Sequence, residues 1–195
     1  METFGENMVD IWLASKSPRR QQILREIFPN ILCQGIEGVD EKPPTGEVDY
    51  QVLEICKSKA MAADLEPHVG EYDIVIVCDT MLSDPDDHML SIGKPKDKIE
   101  AAMMLHRLSG RRHQVWSATG IKKAGEWKFY CDYSIVEISP LSDDVLVELI
   151  LSNSWEGKAG GYDLAGPMGQ WAQIIDGSES TVLGIASQAL VDLQQ

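Results

Sequence analysis

An α/β fold built on a twisted mixed sheet with flanking helices is the architecture this sequence predicts, and three observations predict it. Tyr72–Cys78 is almost wholly apolar and β-branched, the pattern of a strand buried on both faces. Stretches with helical spacing are interspersed with strand-like stretches along the chain. Two long strand-like runs, His113–Ile121 and Trp127–Ile138, flank a Lys122–Glu126 hairpin turn containing Gly125, which adds antiparallel pairing.

The elements follow in order. Asp10–Ala14 is a short apolar strand running into Ser15-Lys16-Ser17. Ser17 suits an N-cap and Pro18 the first helical position, and Ile23, Leu24, Ile27 and Phe28 recur at helical spacing until Pro29-Asn30. Gln34–Gly46 holds three glycines and two prolines and reads as a loop. Asp49–Leu65 is a second helix with Val52, Ile55, Cys56, Ala60 and Ala63 on one stripe, and Lys59 falls on that stripe. The buried strand ends abruptly in Asp79-Thr80. Ser83–Ser91 is rich in turn residues and leads to Gly93-Lys94-Pro95. A helix from Asp97 to Leu108 closes at Gly110. Ser142 with Asp143 and Asp144 caps a helix to Leu151. Ser152–Gly169 is polar and irregular, Trp171–Ile175 is a strand, and after Asp176-Gly177 one final helix ends near Leu193.

Composition narrows the class. The chain has 195 residues, 44% hydrophobic and 25% charged, with 16 Gly and 9 Pro, an ordinary globular balance that argues against disorder, collagen and disulfide scaffolds. That length predicts one domain over residues 1–195, with room for two small lobes around a cleft. No apolar run reaches the ~18 residues that cross a bilayer, and Met1–Trp12 lacks the basic start of a signal peptide. Cys33, Cys56, Cys78 and Cys131 form no C-x-x-C pair, so they read as reduced cysteines of a cytoplasmic protein. Net charge is −14, which opposes binding to a nucleic-acid duplex or an anionic membrane. An anionic ligand therefore needs a local basic pocket.

Three groups of residues are candidates for one. Arg19 and Arg20 occupy the first turn of the first helix, where the dipole disfavours cations by ~0.3–1 kcal/mol each. Either both project into water, or an anion sits there against free backbone N–H groups and the hydroxyls of Ser15 and Ser17. Asp79, at the end of a buried strand, either caps the following turn or is a catalytic or metal-binding acid, with Asp40 or Glu41 as the second carboxylate for a hard cation such as Mg²⁺. Lys59, Lys94 and Lys158 are isolated lysines. Lys158 is the one basic residue after Lys128, against ten acids. Each alone reads as a snorkelling or surface lysine, and together with the arginines they suit a polyphosphate.

The blocks L-A-S-K-S-P-R-R (Leu13–Arg20), V-D-E (Val39–Glu41), K-S-K-A (Lys57–Ala60), C-D-T (Cys78–Thr80), G-K-P (Gly93–Pro95), L-S-G-R-R-H-Q-V (Leu108–Val115), G-K-A-G-G-Y (Gly157–Tyr162) and D-G-S…V-L-G (Asp176–Gly184) resemble the Maf family in order and spacing. The resemblance implies a nucleoside triphosphate pyrophosphatase that clears non-standard nucleotides, releasing a nucleoside monophosphate and pyrophosphate with a divalent metal, Mg²⁺ or Mn²⁺. It also implies an inosine triphosphate pyrophosphatase-like fold, a homodimer and a link to septum formation. The competing class is a non-catalytic, nucleotide-sensing regulator of cell division. Carried over by position, Asp79 is the proton acceptor and shares the metal with Glu41. Ser15, Ser17, Arg19, Arg20, Lys59, Thr80, Lys94 and Lys158 bind substrate, and Arg19, Thr80 and Ala165 are the specificity positions.

The chain departs from the family after the K-A-G block. Many members read I-Q-G there, or a Glu variant, whereas this chain has Leu164-Ala165-Gly166. The side chain that would reach a base edge is missing, so preference for dTTP and UTP, or for a methylated guanine nucleotide, does not carry over. The expectation is broad activity, or a preference read by backbone groups and aromatics. Trp155, Tyr162 and Trp171 either stack on a base or pack beneath the loop. Ser154-Trp155 replaces the family's Glu-Pro, and Ala186 replaces its Pro.

Overall fold

The computed structural model describes residues 9–195, so most of the Met1–Trp12 segment read for a signal peptide lies outside the described residues. One mixed sheet of seven strands organises it: β1 (Ile11–Leu13), β2 (Leu32–Cys33), β3 (Ile74–Ser83), β4 (Ser91–Ile92), β5 (Arg112–Lys123), β6 (Glu126–Ile138) and β7 (Ala172–Asp176). The order is β2-β1-β3-β5-β6-β7, with β4 on the far end of β3. β1 runs parallel to β2 and β3, and the β3-β5-β6-β7 side is antiparallel. Six α-helices accompany the described strands: α1 (Pro18–Ile27), α2 (Val48–Asp64), α3 (Lys98–Leu108), α4 (Asp143–Leu151), α5 (Glu179–Leu183) and α6 (Ser187–Leu193). The two-residue strands β2 and β4 are too short for periodicity to reveal.

Side-chain alternation along β3 distributes the core. Val75, Val77 and Met81 point to the face covered by the Val52, Ile55, Cys56, Ala60 and Ala63 stripe of α2. Ile76 and Cys78 point to the opposite face, against Leu24 of α1 and Ala189 and Leu193 of α6. A third cluster packs α3 and α4 against the far ends of β3, β5 and β6 through Leu82, Leu105, Val136 and Leu149. Each fully buried Leu or Ile contributes ~1.5–3 kcal/mol, so these clusters fix the helices on the sheet.

Several expectations are corrected. β3 does not end at Cys78 but continues through Asp79 and Thr80 to Ser83. β5 supplies the reason, since its backbone pairs Asp79 with Ala118, Thr80 with Ser117 and Leu82 with Val115. Polar residues are thus carried mid-strand by a long antiparallel partner. Ser17 stands at the N-cap of α1, yet its side chain does not cap. Instead its N–H donates to Ser15 Oγ at 3.2 Å. The final helix is two helices, α5 and α6, because Gly184 (φ 111°) turns the chain left-handed between them. Ser142 caps α4 as expected, accepting from Val145 N–H, and Asp97 proves to cap α3, accepting from Glu100 N–H.

The sheet leaves a gap where the cleft forms. β1 pairs with β3 only as far as Ile76, and β4 takes over only at Leu82. Ala14 N–H donates to Ile76 O at 2.8 Å, so the next carbonyl on that edge, Cys78 O, has no strand beside it. Arg20 Nη1 (3.1 Å) and Lys59 Nζ (3.4 Å) donate to it instead. A divergence of neighbouring strands is where open α/β sheets bind ligands.

Candidate active site

A cleft of about 500 Å³ opens at this gap. The β1–α1 turn, the Gly35–Glu41 loop, α2, β3, Lys94 and the 156–163 segment line it. Of the residues singled out in the sequence, Ser15, Ser17, Arg19, Arg20, Glu41, Lys59, Asp79, Thr80, Lys94 and Lys158 all meet there. Ala165 is exposed and lies outside the lining, while its neighbour Asp163 lies within it.

Two periodicities place the central acid and base. Asp79 shares the α2 face of β3 with Val77 and Met81, and Lys59 sits on the buried stripe of α2. They meet as a buried ion pair, Lys59 Nζ to Asp79 Oδ1 at 2.7 Å, and Glu41 joins at 2.9 Å from the half-exposed loop. Burial works against the Lys59 charge, but Asp79, with Glu41 behind it and Arg20 opposing, holds its pKa above the ordinary lysine value. Burial likewise acts to raise the Glu41 pKa, and Lys59 outweighs it, aided by Lys94 and Arg20, so Glu41 stays below the ordinary carboxylate value. Lys94 goes the other way. Burial lowers its pKa, and Arg20 and Lys59 add to that against Glu41 and Asp79. The second Asp79 oxygen, Oδ2, is buried without a hydrogen-bond partner. An orphaned carboxylate oxygen in a polar cleft calls for a ligand.

Thr80 points to the opposite face, where α1 lies. There Arg20 works as a bracket: Nε donates to Gly184 O (2.9 Å), Nη1 to Ser15 Oγ (3.2 Å) and Nη2 to Thr80 Oγ1 (2.9 Å), besides the Cys78 carbonyl. Four of its five N–H groups are thereby committed to protein, leaving one for a phosphate. Arg20 is accordingly more a frame for Ser15 and Thr80 than the free phosphate group that the sequence suggested. Glycine suits position 184, since at φ 111° any side chain is strained and an added Cβ would lie 2.8 Å from Arg20 Nε.

The other end of the cleft is built from a loop. Lys158 and Arg19 converge on Asp163, with Lys158 Nζ at 3.5 Å from Oδ2 and Arg19 Nη1 at 3.8 Å from Oδ1. Burial lowers the Arg19 pKa and Asp163 opposes the shift. Asp163 escaped the sequence reading. The signal was its adjacency to Tyr162, in the same glycine-rich block as Lys158. Tyr162 itself is buried, its hydroxyl 2.8 Å from His113 Nε2, so it packs under the loop and does not offer a face to a base. Trp155 is also buried and donates Nε1–H to Ile150 O at 3.1 Å. Trp171 packs against the α3–α4 core. Ala186 uses the donor that a proline would lack, giving its N–H to Thr119 Oγ1 at 3.0 Å.

Among the described residues no group of three or more His, Cys, Asp or Glu forms a metal cage. Asp79 and Glu41 nevertheless suit a hard cation. Mg²⁺ takes one or two carboxylates and completes its shell with water and substrate phosphates, and Asp79 Oδ2 is a free oxygen ligand.

Comparison with known proteins identifies the family. The family model described as "Maf: Maf-like protein" matches residues 10–195. A dTTP/UTP pyrophosphatase of Ruegeria sp. is 34% identical over 178 residues, covering 89% of this chain and 86% of the relative. One of Caldanaerobacter subterraneus is 36% identical over 188 residues, covering 94% and 86%. Among solved structures, the Staphylococcus aureus Ham1 protein aligns with a TM-score of 0.44 at 20% identity, covering 66% of this chain and 71% of that one. With the family match running through every segment that lines the cleft, from the β1–α1 turn to Asp163, the chain belongs to the Maf family.

Proposed function

We propose that the protein is a nucleoside triphosphate pyrophosphatase, hydrolysing the α–β phosphoanhydride to a nucleoside monophosphate and pyrophosphate. The observation that carries this is the buried, partnerless Oδ2 of Asp79, held beside Lys59 in a cleft that also contains Arg19, Arg20, Lys94 and Lys158. The relatives' activity on dTTP and UTP supports the reaction class.

In this reading the triphosphate lies along Ser15, the N-terminus of α1, Lys59 and Lys94, where free N–H groups and ammonium groups match phosphate oxygens. Lys59 pins Asp79 Oδ1 and leaves Oδ2 to take the proton of the attacking water. The water oxygen bonds to the α-phosphorus as the bond to the bridging oxygen breaks, and the departing pyrophosphate is neutralised by the lysines. Glu41 and Asp79 would hold a divalent cation, which would add charge neutralisation at the phosphates and lower the pKa of the attacking water. Lys94, with its lowered pKa, can give a proton to the leaving group more readily than an ordinary lysine.

Four free cysteines support a reducing cytoplasm as the place of action, and no helix among the described residues is long and apolar enough to cross a membrane. The homodimer is carried over from the family and is tested by sedimentation. The reaction is tested by incubating the protein with a panel of canonical and modified triphosphates plus Mg²⁺ or Mn²⁺ and assaying both pyrophosphate and inorganic phosphate. Pyrophosphate is expected. Inorganic phosphate alone would place the scissile bond elsewhere, and tight nucleotide binding without turnover would favour the sensor.

A further inference from the structure

We propose that Ser117, which lies behind the cleft and not in it, is a positioning residue for the triphosphate site: it takes the Thr80 proton and so decides which hydroxyl of the Arg20 bracket can donate to the ligand. The proposal rests on the pyrophosphatase reading and adds a residue to its machinery.

Strand register brings Ser117 to this place. On β5 it is the direct cross-strand partner of Thr80 on β3, and the two hydroxyl oxygens stand 2.9 Å apart. Ser117 is fully buried and does not line the cleft, so it acts through Thr80 and not on the substrate. On its other side Ser117 Oγ donates to Thr181 O of α5 at 2.7 Å.

Proton counting fixes every direction in this chain. A carbonyl only accepts, so the single O–H of Ser117 goes to Thr181 O. Ser117 therefore meets Thr80 as an acceptor, and the single O–H of Thr80 points to Ser117, away from the cleft. Arg20 Nη2 donates into Thr80 Oγ1 at 2.9 Å, which gives a one-way run from Arg20 through Thr80 and Ser117 to Thr181. The run closes on Arg20, because its Nε holds Gly184 O and Gly184 N–H donates to Thr181 O at 3.2 Å.

Ser15 comes out the opposite way. Its Oγ accepts twice, from Ser17 N–H and from Arg20 Nη1, both at 3.2 Å, which uses both lone pairs and leaves its O–H to donate. Both hydroxyls belong to residues that line the cleft. Ser15 thus offers a proton to a phosphate oxygen, whereas Thr80 offers only a lone pair, so the bracket draws the phosphate toward the α1 side. Ser117 makes that difference. An alanine there would release the Thr80 proton and leave the hydroxyl free to turn away from Arg20.

The test is a calorimetric titration with inorganic tripolyphosphate, without divalent metal, so that protein groups alone bind it. Wild type, Ser117→Ala, Thr80→Val and the double variant are compared. Loss of one net hydrogen bond should weaken binding ~3- to 10-fold in Ser117→Ala. In the Thr80→Val background, where there is no proton to direct, the same substitution should change affinity less than ~2-fold. A residue that only supports α5 would act equally in both backgrounds, so equal effects overturn the proposal. Unchanged affinity in a folded Ser117→Ala overturns it too, as does a wild type that binds no tripolyphosphate. Neutron diffraction from deuterium-exchanged wild-type crystals decides even if a variant fails to fold. A deuteron on Thr80 Oγ1 aimed at Ser117 Oγ supports the proposal, and one aimed into the cleft overturns it. Turnover is read separately: if tripolyphosphate binds as expected but no nucleoside triphosphate yields pyrophosphate, the pyrophosphatase reading fails by itself and Ser117 still positions the phosphate site.

Discussion

The two ends of the cleft are built by opposite means. At the Asp79 end, acid and base stand on β3 and α2, and sheet pairing and the helix stripe fix their directions. At the Asp163 end, a loop takes consecutive left-handed turns at Gly160 and Gly161 (φ 72° and 70°) and is pinned by two contacts, Gly160 N–H to Gly93 O at 2.9 Å and Tyr162 to His113. The contacts differ accordingly. Lys59 and Asp79 touch at 2.7 Å, whereas Arg19 and Lys158 stand off from Asp163 at 3.8 and 3.5 Å. A strand and a helix thus hold their charged groups in direct contact, whereas the acid carried on a loop stands at ion-pair distance from its cations.

The comparison breaks first at Asp79. Asp79→Asn keeps the shape of the end but cannot take a proton, so turnover should fall ~10²–10⁴-fold while triphosphate affinity stays near wild type. Single-turnover assay with a separate binding titration separates the two quantities. Residual activity above about a tenth would assign the base elsewhere.

Acid attacks the other end through His113. Burial pushes its pKa down to about 4 from 6.5, so the folded state holds it neutral where the unfolded chain would protonate it. Its contribution is complete above pH 6.5 and is lost as pH falls from there toward 4, by about 3 kcal/mol in all. Urea midpoints at pH 7, 5.5 and 4.5 measure the slope against His113→Gln, which keeps a partner for Tyr162 but does not titrate. The stability lost between pH 7 and 4.5 should be ~2 kcal/mol smaller in the variant, and an equal loss would remove His113 from the account.

Gly184→Ala tests how rigid the Arg20 bracket is. A methyl group 2.8 Å from Nε at φ 111° strains the turn, for an expected loss of ~1–3 kcal/mol and a raised KM, read by denaturation and steady-state kinetics. A wild-type midpoint in the variant would show that the bracket yields without cost. Least affected should be Ala165→Gln. The position is exposed outside the cleft, so the substrate profile should stay within the ~2-fold typical of surface changes. A shift toward pyrimidine triphosphates would show that a longer side chain reaches the base after all.

These differences follow what was legible in the residues. Lys59 on an apolar stripe, Arg19 and Arg20 at a helix start and Lys158 alone among acids all violate local expectation, and all line the cleft. Arg20 illustrates the limit. Its charge was readable, but its four contacts reach positions 15, 78, 80 and 184, which no local pattern connects. Asp163 was missed because an acid in a polar loop violates nothing. Tyr162 and Trp155 were candidates for stacking until packing buried them.

The sequence by itself determined the α/β class, nearly all the strands and helices longer than two residues, and most of the basic and acidic groups that meet in one cleft. Hydrophobic periods of 2 and 3.6 are local properties of the chain, and an ionisable residue out of place within them is visible without coordinates. Tertiary structure alone decided that β3 runs on past Asp79, that Arg20 braces the protein, that the last helix breaks at Gly184, and that Asp163 and not residue 165 enters the cleft. Each of these depends on a partner distant in sequence: the β5 backbone, the Cys78 carbonyl left bare between β1 and β4, the close approach of Arg20, and the His113 ring beneath Tyr162. Direction in a loop is set by such contacts, because it has no repeat of its own to set it.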